Sequence, residues 1–266
     1  MSELTEREFR LAQRFILDAA GITLGSGKQA LVSGRLDKRL RARRMDSYTA
    51  YFELLLQPSE AAERQCAIDL LTTNETYFFR ESSHFERLRG WALAARQAGA
   101  PLRVWSAACS SGEEAYSIAM VLADVQGDLP WQLLASDISE RMLARARSGH
   151  YPEARTEGLP DEYRRRYCRR GTGAQQGTLL VERSLRERVR FESVNLNRAL
   201  PAIGRFDVVF LRNVMIYFDL ATKRDVVARL VPAIEPGGHL LVGHSETLAD
   251  MHPSLRAVAP SVYRRI

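Results

Sequence analysis

The chain has 266 residues, of which 45% are hydrophobic and 26% are charged, and its formal net charge is +6. This composition is typical of a globular protein and excludes a disordered one. No apolar run reaches the ~18 residues of a membrane-spanning helix. The charged N-terminal residues lack the apolar centre of a secretory signal. The widely spaced Cys66, Cys109 and Cys168 form no CxxC pair. We therefore expect a cytoplasmic protein with reduced thiols, without a disulfide framework or a metal site.

Helix signals without a convincing strand run from residue 5 to about residue 88. Apolar residues at helical spacing begin at Phe9, and a second helix is predicted over 30–44. Two further helices follow, one capped near Ser47 and one that ends near Leu71. This part of the sequence predicts an all-helical N-terminal domain.

After residue 100, short β-rich runs alternate with helices. Strands are predicted at 102–108, 133–136, 188–194, 206–211, 239–243 and 261–265. Helices are predicted at 113–124, 139–148 and 222–234. Such alternation predicts an α/β domain with a parallel sheet covered by helices on both faces. Ligands of these sheets bind beyond the carboxyl ends of the strands, so the residues that follow each strand are candidates for chemistry.

The segment 151–188 breaks this alternation. It is punctuated by Gly171, Gly173 and Gly177, and residues 178–182 resemble a strand. We predict a small antiparallel β-insertion with a glycine-rich turn.

Small residues from Ser106 to Gly112 join the first strand to the helix that begins near Glu113. Such a turn lets the backbone approach a ligand, and the helix start offers free N–H groups. The dinucleotide-binding motif GxGxxG is absent, and the negative charges of Glu113 and Glu114 would repel a bound pyrophosphate. They favour a cationic, polyhydroxyl ligand such as S-adenosylmethionine, although a capped helix with an acidic first turn explains the same residues.

Polar residues also follow the other strands. Asp137 is placed to accept ribose hydroxyl hydrogens or to cap the next helix. Asn195 and Leu196 could hold an adenine or simply form a turn. The pair Arg212 and Asn213 interrupts an apolar run, which predicts that this segment faces a cleft, because buried polar groups need partners.

Several long segments together resemble one known family. They are TTNETYFFRE at 72–81, VWSAACSSGEEAYSIA at 104–119, ASDIS at 135–139, RGTGAQQG at 170–177, SVNL at 193–196, FLRNVMIYF at 210–218 and EPGGHLLVGHSE at 235–246. In these segments the chain resembles the chemotaxis receptor methyltransferases, the CheR family. The resemblance implies a helical receptor-recognition domain over 1–72, a linker over 73–100 that contacts the cofactor pocket, and a Rossmann-like methyltransferase domain over 101–266. It also implies that 151–188 is a β-subdomain of that methyltransferase.

The resemblance further implies the activity and the site. The enzyme would methylate glutamate side chains of bacterial chemoreceptors for sensory adaptation, giving methyl esters and S-adenosylhomocysteine. The cofactor contacts carried over are Asn74, Thr76, Arg80, Glu114, Asp137, Asn195, Leu196, Leu211, Arg212 and Asn213. Glu113 stays an alternative to Glu114.

The acceptor carboxylate is already ionised near neutral pH, with a reference pKa of ≈ 4.3, so no general base is needed. We predict that Arg80 and Tyr217 orient it, with a purely structural aromatic as the alternative for Tyr217. Alignment of the two reactants then supplies the catalysis.

Two surfaces are candidates for receptor binding. Arg35, Lys38 and Arg39 share one helix face, which is either a solvated charged face or a docking site for acidic receptor helices. The turn with Gly171, Gly173 and Gly177 is either an ordinary hairpin or, as the resemblance implies for some members, the place where a C-terminal receptor peptide adds as a strand.

The remaining expectations concern partners and competing functions. We expect a monomer, recruited to receptor arrays without membrane insertion. A cofactor-binding sensor without activity is disfavoured by the presence of Arg80, Asp137 and Tyr217. A nucleic-acid methyltransferase, which the basic charge suggests, is disfavoured because the segment 212–218 lacks the proline-rich acceptor motif of such enzymes, so no nucleic-acid partner is expected.

Overall fold

The computed structural model describes residues 4–127 and 129–266. Its N-terminal part contains the helices α1 (Glu6–Ala20), α2 (Gln29–Ala42), α3 (Tyr48–Leu55) and α4 (Ala61–Leu71). Thr5 and Glu8 form a capping box at the start of α1, and Gly21 ends this helix with φ at 73°. Phe9, Ile16 and Leu36 lie in one buried core, which confirms the predicted all-helical domain.

The segment predicted as a linker contains a further helix, α5 (Ser83–Gln97). Phe85 and Leu88 of α5 are buried in the core of the second domain. The helix is also tied to α6 (Glu113–Gln126), since the side-chain amide of Gln126 donates to the carbonyl oxygen of Ala92 at 3.1 Å. Only residues 72–82 therefore cross between the two domains as non-helical chain.

The strands are β1 (Leu102–Ser106), β2 (Trp131–Asp137), β3 (His150–Pro152), β4 (Cys168–Arg170), β5 (Thr178–Val181), β6 (Val189–Ser193), β7 (Phe206–Leu211), β8 (Ile234–Val242), β9 (Leu255–Ala259) and β10 (Val262–Arg265). Seven of them form one sheet in the order β6-β2-β1-β7-β8-β10-β9. The first five strands of that order are parallel, whereas β10 and β9 are antiparallel additions at one edge. The predicted Rossmann-like sheet is confirmed, but β3, β4 and β9 were not predicted.

Helices cover both faces of this sheet. Besides α5 and α6 they are α7 (Glu140–Ser148) and α10 (Leu220–Leu230). Of the two short helices, α8 (Asp161–Tyr167) contacts β4, and α9 (Arg183–Arg186) contacts α6. Successive strand residues enter different cores: Val104 packs in the core that contains α5 and α6, and Trp105 in the core that contains α10. No helix in the described ranges is long and apolar enough to cross a membrane.

Two predicted boundaries were wrong around α10. The helix ends at Leu230 instead of Ile234, because Pro232 lies in a short 3-10 turn and lacks the N–H that a continuing helix needs. Strand β8 begins at Ile234 instead of His239, and its irregular pairing with β7 accommodates Gly237, whose φ is 82°.

The insertion is a small antiparallel sheet in the order β3-β5-β4, as predicted. Its glycine-rich turn joins β4 to β5, and Gly173 and Gly177 have φ values of 56° and 79°. A Cβ atom on Gly171 would lie 1.9 Å from the carbonyl oxygen of Gln175, so only glycine fits there. Strands β3 and β4 are the two edges of this sheet, and β4 leads directly into the turn.

Candidate active site

A cleft of about 870 Å³, including its open mouth, lies beyond the carboxyl ends of β1, β2, β6 and β7. The helical domain closes one side of it with Ala20 and Ile22. The predicted residues on its walls are Asn74, Thr76, Arg80, Glu114, Asp137, Asn195, Leu196, Arg212, Asn213 and Tyr217. Leu211 is not on the wall, since its side chain is fully buried in the core under α10. Its predicted contact with the cofactor stays a prediction.

Asp137 ends β2 and is buried at the base of the cleft. Its Oδ2 accepts the N–H of Ser110 at 2.8 Å, and its Oδ1 accepts that of Ser139 at 2.9 Å. Burial raises the pKa of the Asp137 carboxyl, and these backbone donors oppose the shift. Each carboxylate oxygen offers more than one acceptor direction, so the group can still accept hydrogen bonds from a ligand.

Glu114 joins the cleft to a buried ion-pair network. Its Oε1 accepts the hydroxyl hydrogen of Ser106 at 2.7 Å, and its Oε2 lies 3.1 Å from Nη1 of Arg212. Arg212 also donates to Oε2 of Glu81 at 3.0 Å and to the carbonyl oxygen of Arg80. Burial raises the pKa of Glu114, although Arg212 works against it. For Glu81, Arg212 and Asn213 outweigh the effect of burial, so its pKa is lowered.

The neighbouring carboxylate of Glu113 has different partners. It is fully buried, and Arg155 donates to its Oε1 at 2.9 Å while Ser111 donates to its Oε2 at 2.6 Å. Glu113 is not on the cleft wall, whereas Glu114 is. Between the two acids that the sequence left open, the geometry therefore favours Glu114.

The crossing segment 72–82 runs over the cleft and is hydrogen-bonded to the second domain. The carbonyl oxygen of Asn74 accepts a hydrogen bond from Ser110 at 3.1 Å, and the N–H of Phe79 donates to Ser117 at 3.0 Å. Arg80 donates through Nη1 to the carbonyl oxygen of Glu75 at 3.0 Å and faces the cleft. Since Nη1 is the guanidinium nitrogen used in that bond, Arg80 keeps Nε and Nη2 for an acceptor group.

Asn195 lies just after the end of β6 and connects it to the helical domain. Its side-chain amide donates to the carbonyl oxygen of Ala19 at 2.7 Å, and its Oδ1 accepts the N–H of Asn197 at 2.9 Å. The N–H of Thr23 donates to the carbonyl oxygen of Tyr217 at 2.8 Å. These contacts hold the helical domain against two strand ends, so it forms part of the site.

The predicted basic face divides into residues with different environments. Arg35 donates to the carbonyl oxygens of Leu71 at 3.0 Å and Thr72 at 3.1 Å, at the end of α4. Arg39 forms a bidentate pair with Glu63, whose side chain is 4% exposed. Lys38, in contrast, is exposed to solvent. Receptor binding by this face stays a prediction, and Lys38 is the member whose ammonium group is presented outward.

Sequence reasoning assigned no role to Glu81, His84 and His244, although they lie in the segments TTNETYFFRE and EPGGHLLVGHSE or next to them. One ligand atom of each lies within 4.8 Å of the others. The guanidinium of Arg212 already lies 3.0 Å from the shared Glu81 oxygen, and this cation disfavours a metal ion. Burial and Arg212 lower the pKa of His84 to about 4, so His84 is neutral near pH 7.

A doubly wound sheet with an acid at the end of its second strand and a cleft over the carboxyl ends defines a Rossmann-like, nucleoside-binding protein. A family model of the CheR methyltransferase all-alpha domain matches residues 7–72, and a model of the CheR methyltransferase SAM binding domain matches residues 74–263. The chain therefore belongs to the CheR methyltransferase family and is an S-adenosylmethionine-dependent methyltransferase.

Similar proteins from several bacteria cover nearly the whole chain. The chemotaxis protein methyltransferase of Salmonella typhimurium is 42% identical over 98% of this chain and 90% of its own length. The one of Escherichia coli is 40% identical over 98% of this chain and 91% of its own length. Chemotaxis protein methyltransferase 2 of Pseudomonas aeruginosa is 40% identical, over 97% and 93%. These matches confirm the family that the sequence motifs indicated.

Proposed function

We propose that this chain methylates glutamate side chains of bacterial chemoreceptors, forming glutamate methyl esters and S-adenosylhomocysteine for sensory adaptation. The observation that carries the proposal is one cleft that brings the buried acid Asp137 together with Arg80 and Tyr217. The first residue suits a nucleoside, and the other two suit a carboxylate. The names of the similar proteins, which are chemotaxis protein methyltransferases, support this choice of acceptor.

The cleft fits the cofactor. Its wall combines apolar side chains with a few polar and charged groups, as is usual for sites of small molecules and cofactors. Asp137 can accept the ribose hydroxyl hydrogens, and Leu196 offers an apolar surface beside Asn195 for the adenine. Asn74 and Thr76 lie on the cleft wall where the segment 72–82 crosses it. When bound, S-adenosylmethionine supplies an electrophilic methyl group.

The acceptor side needs alignment and no proton transfer. A glutamate of the receptor is ionised near neutral pH. Arg80 can donate Nε–H and Nη2–H groups to that carboxylate, and the Tyr217 hydroxyl can donate another hydrogen bond. These groups would hold the acceptor oxygen in line with the methyl group, and orientation of this kind contributes several kcal/mol to catalysis. Strong solvation of the carboxylate would slow the reaction, because charge is neutralised in the transition state.

Charge and an open strand edge suggest how the receptor is bound. Lys38 on α2 is presented outward and would meet acidic receptor helices. Strand β4 is an edge of the small sheet, and its unpaired backbone groups can accept an extended peptide as an added strand. A C-terminal receptor peptide bound there would raise the local receptor concentration without changing the chemistry. The enzyme would act as a monomer at receptor arrays, without inserting into the membrane.

Two experiments test this proposal. In the first, the enzyme is incubated with labelled S-adenosylmethionine and one acceptor, which is a receptor cytoplasmic fragment, DNA or RNA. Transfer of label to the receptor fragment alone is expected. The second titrates the C-terminal peptides of the organism's chemoreceptors. Micromolar binding of at least one peptide is expected, with loss after deletion of residues 172–175 and unchanged affinity for S-adenosylhomocysteine. Absence of binding by every peptide would contradict strand addition while leaving the methyltransferase activity intact.

A further inference from the structure

The loop that follows β7 is held by one carboxylate from a distant turn. Glu246 follows β8, is 9% exposed, and points at this loop. Its Oε2 accepts the N–H of Asn213 at 2.8 Å and that of Gly243 at 2.6 Å. Its Oε1 accepts the N–H of Met215 at 2.8 Å and that of Ile216 at 3.2 Å. A single side chain thus binds three backbone donors of one loop and one donor of its own turn.

This arrangement stabilises a backbone path that would otherwise be unfavourable. Asn213 has φ at 55°, and a short 3-10 turn from Met215 to Tyr217 follows it. The N–H groups in this path have no regular strand or helix partner, so they need an acceptor. The two turns also touch closely: a Cβ atom on Gly243 would lie 2.4 Å from Nδ2 of Asn213. The carboxylate of Glu246 is the group that accepts hydrogen bonds from backbone N–H groups of both turns.

The loop is a wall of the cleft. Asn213, Val214 and Tyr217 all line it. Glu246 itself does not line it, and within the described ranges none of the ion pairs includes Glu246. The negative charge of Glu246 therefore faces backbone N–H groups, and charge-assisted hydrogen bonds of this kind are stronger than neutral ones.

We infer that Glu246 is a positioning residue for methyl transfer, which fixes the loop 212–218 so that Tyr217 faces the acceptor carboxylate. This inference rests on the proposed function, since it assumes an acceptor at Tyr217. Glu246 acts through the backbone and does not contact the reactants. It therefore affects the alignment of the acceptor more than the affinity for the cofactor, whose ribose site at Asp137 lies at the end of a different strand.

The test compares Glu246→Gln, Glu246→Asp and the control Ser245→Ala in the full-length protein. Glutamine presents an amide donor to N–H groups that need an acceptor, and aspartate keeps the charge but is one methylene shorter. Ser245 is exposed in the same turn. Single-turnover methylation of a receptor fragment is measured at saturating S-adenosylmethionine. Rates are normalised to the binding sites counted by calorimetry with S-adenosylhomocysteine.

For Glu246→Gln we expect the rate per binding site to fall about 10²-fold, the scale of a misplacement of ~1 Å. The dissociation constant for S-adenosylhomocysteine should change by less than about threefold, because the hydrogen bonds of Asp137 are untouched. Glu246→Asp should recover part of the rate, and Ser245→Ala should match the wild type. Amide hydrogen exchange at residues 213–216 should become faster in Glu246→Gln, which reports the loop independently of activity.

Wild-type rates in both glutamate variants would overturn the inference, and so would a loss of cofactor affinity as large as the loss of rate. Unchanged exchange at residues 213–216 would also overturn it. A wild-type protein that does not methylate the receptor fragment would contradict the proposed function instead, and hydrogen exchange would still decide whether Glu246 holds the loop.

Discussion

The Nη1 atom of Arg212 lies 3.1 Å from Oε2 of Glu114, and this ion pair joins the end of β7 to the start of α6 at the cleft wall. The same guanidinium binds Glu81 and the carbonyl oxygen of Arg80, so it connects the crossing segment to the sheet. One buried cation thereby holds three segments whose residues face the proposed methyl donor and acceptor.

The two adjacent acids at the start of α6 should behave differently. Glu114→Gln should weaken S-adenosylhomocysteine binding by ~1–3 kcal/mol, because it removes a charged acceptor from the cleft wall and one of the two carboxylate partners of Arg212. Glu113→Gln should lower the melting temperature with little effect on affinity, since Glu113 pairs with Arg155 and does not line the cleft. Calorimetry and thermal unfolding measure the two effects. Equal losses of affinity in both variants would contradict this assignment.

Removal of the Asp137 carboxylate should weaken cofactor binding. Asp137→Ala is expected to cost ~1–3 kcal/mol of S-adenosylmethionine affinity, the usual effect of losing hydrogen bonds to a charged acceptor. Because Asp137 also holds the N–H groups of Ser110 and Ser139, the variant needs a control for local loosening. Ser139→Ala removes the side-chain cap of α7 and should cost ~1 kcal/mol of stability with unchanged affinity. Calorimetry that finds equal affinities for Asp137→Ala and the wild type would remove Asp137 from the site.

The basic helix α2 should separate into structural and receptor-facing residues. Arg39→Met removes the guanidinium from the buried Glu63 and leaves Tyr51 as a donor to it, so the free energy of unfolding should fall by about 1–3 kcal/mol, the usual cost of removing one partner of a buried group. Denaturant titration measures this loss. An Arg39→Met protein as stable as the wild type would show that the pair with Glu63 contributes little.

Lys38→Glu should leave stability unchanged, since exposed charges contribute little to folding. It should raise KM for a receptor fragment and leave S-adenosylhomocysteine affinity as it is. The increase should shrink at high salt, because exposed charges are screened. Identical receptor kinetics for Lys38→Glu and the wild type at every salt concentration would rule out docking through this residue.

The depressed pKa of His84 predicts a pH-dependent stability. The side chain is 1% exposed, and its pKa falls from 6.5 to about 4 on folding. The unfolded chain then binds more protons between these values, so stability should be complete above about pH 6.5 and should decrease as pH falls towards 4. The shift corresponds to about 3 kcal/mol, at about 1.4 kcal/mol for each pKa unit. As pH falls from 6.5 to 4, the unfolding free energy of the wild type should decrease relative to that of His84→Phe, which has no imidazole to protonate. Parallel curves would show that His84 does not contribute.

The sequence predicted the cleft well because its residues follow strand ends in local motifs. Asp137 and the pair of Glu113 and Glu114 could be placed at the carboxyl edge of a parallel sheet from strand–helix alternation alone. Asn74, Thr76 and Arg80 precede the first strand of the sheet and were predicted only from the family resemblance. The start of β8 could not be predicted from strand–helix alternation. The residues Pro236, Gly237 and Gly238 before His239 have the composition of a turn, and only pairing with β7 extends the strand to Ile234.

Contacts between distant segments could not be predicted from the sequence either. Arg35, Lys38 and Arg39 share one face of α2, so their spacing does not distinguish them. Only the position of α4 decides that Arg35 binds the carbonyl oxygen of Leu71 and that Arg39 binds Glu63. The role of Glu246 could not be predicted either, because three of its four backbone partners lie about 30 residues earlier in the chain. Such roles depend on tertiary packing, which periodicity and spacing do not encode.

The most direct test of the central claim is single-turnover methylation of a receptor cytoplasmic fragment, followed by mass mapping of the product. We expect base-labile methyl esters on glutamate side chains, formed at a rate that does not change between pH 6.5 and 8.5, because no proton is transferred in the step. In Arg80→Ala the rate should fall at least about tenfold even with saturating S-adenosylmethionine. Label on another residue type, or a rate that increases with pH as for a general base, would contradict the account.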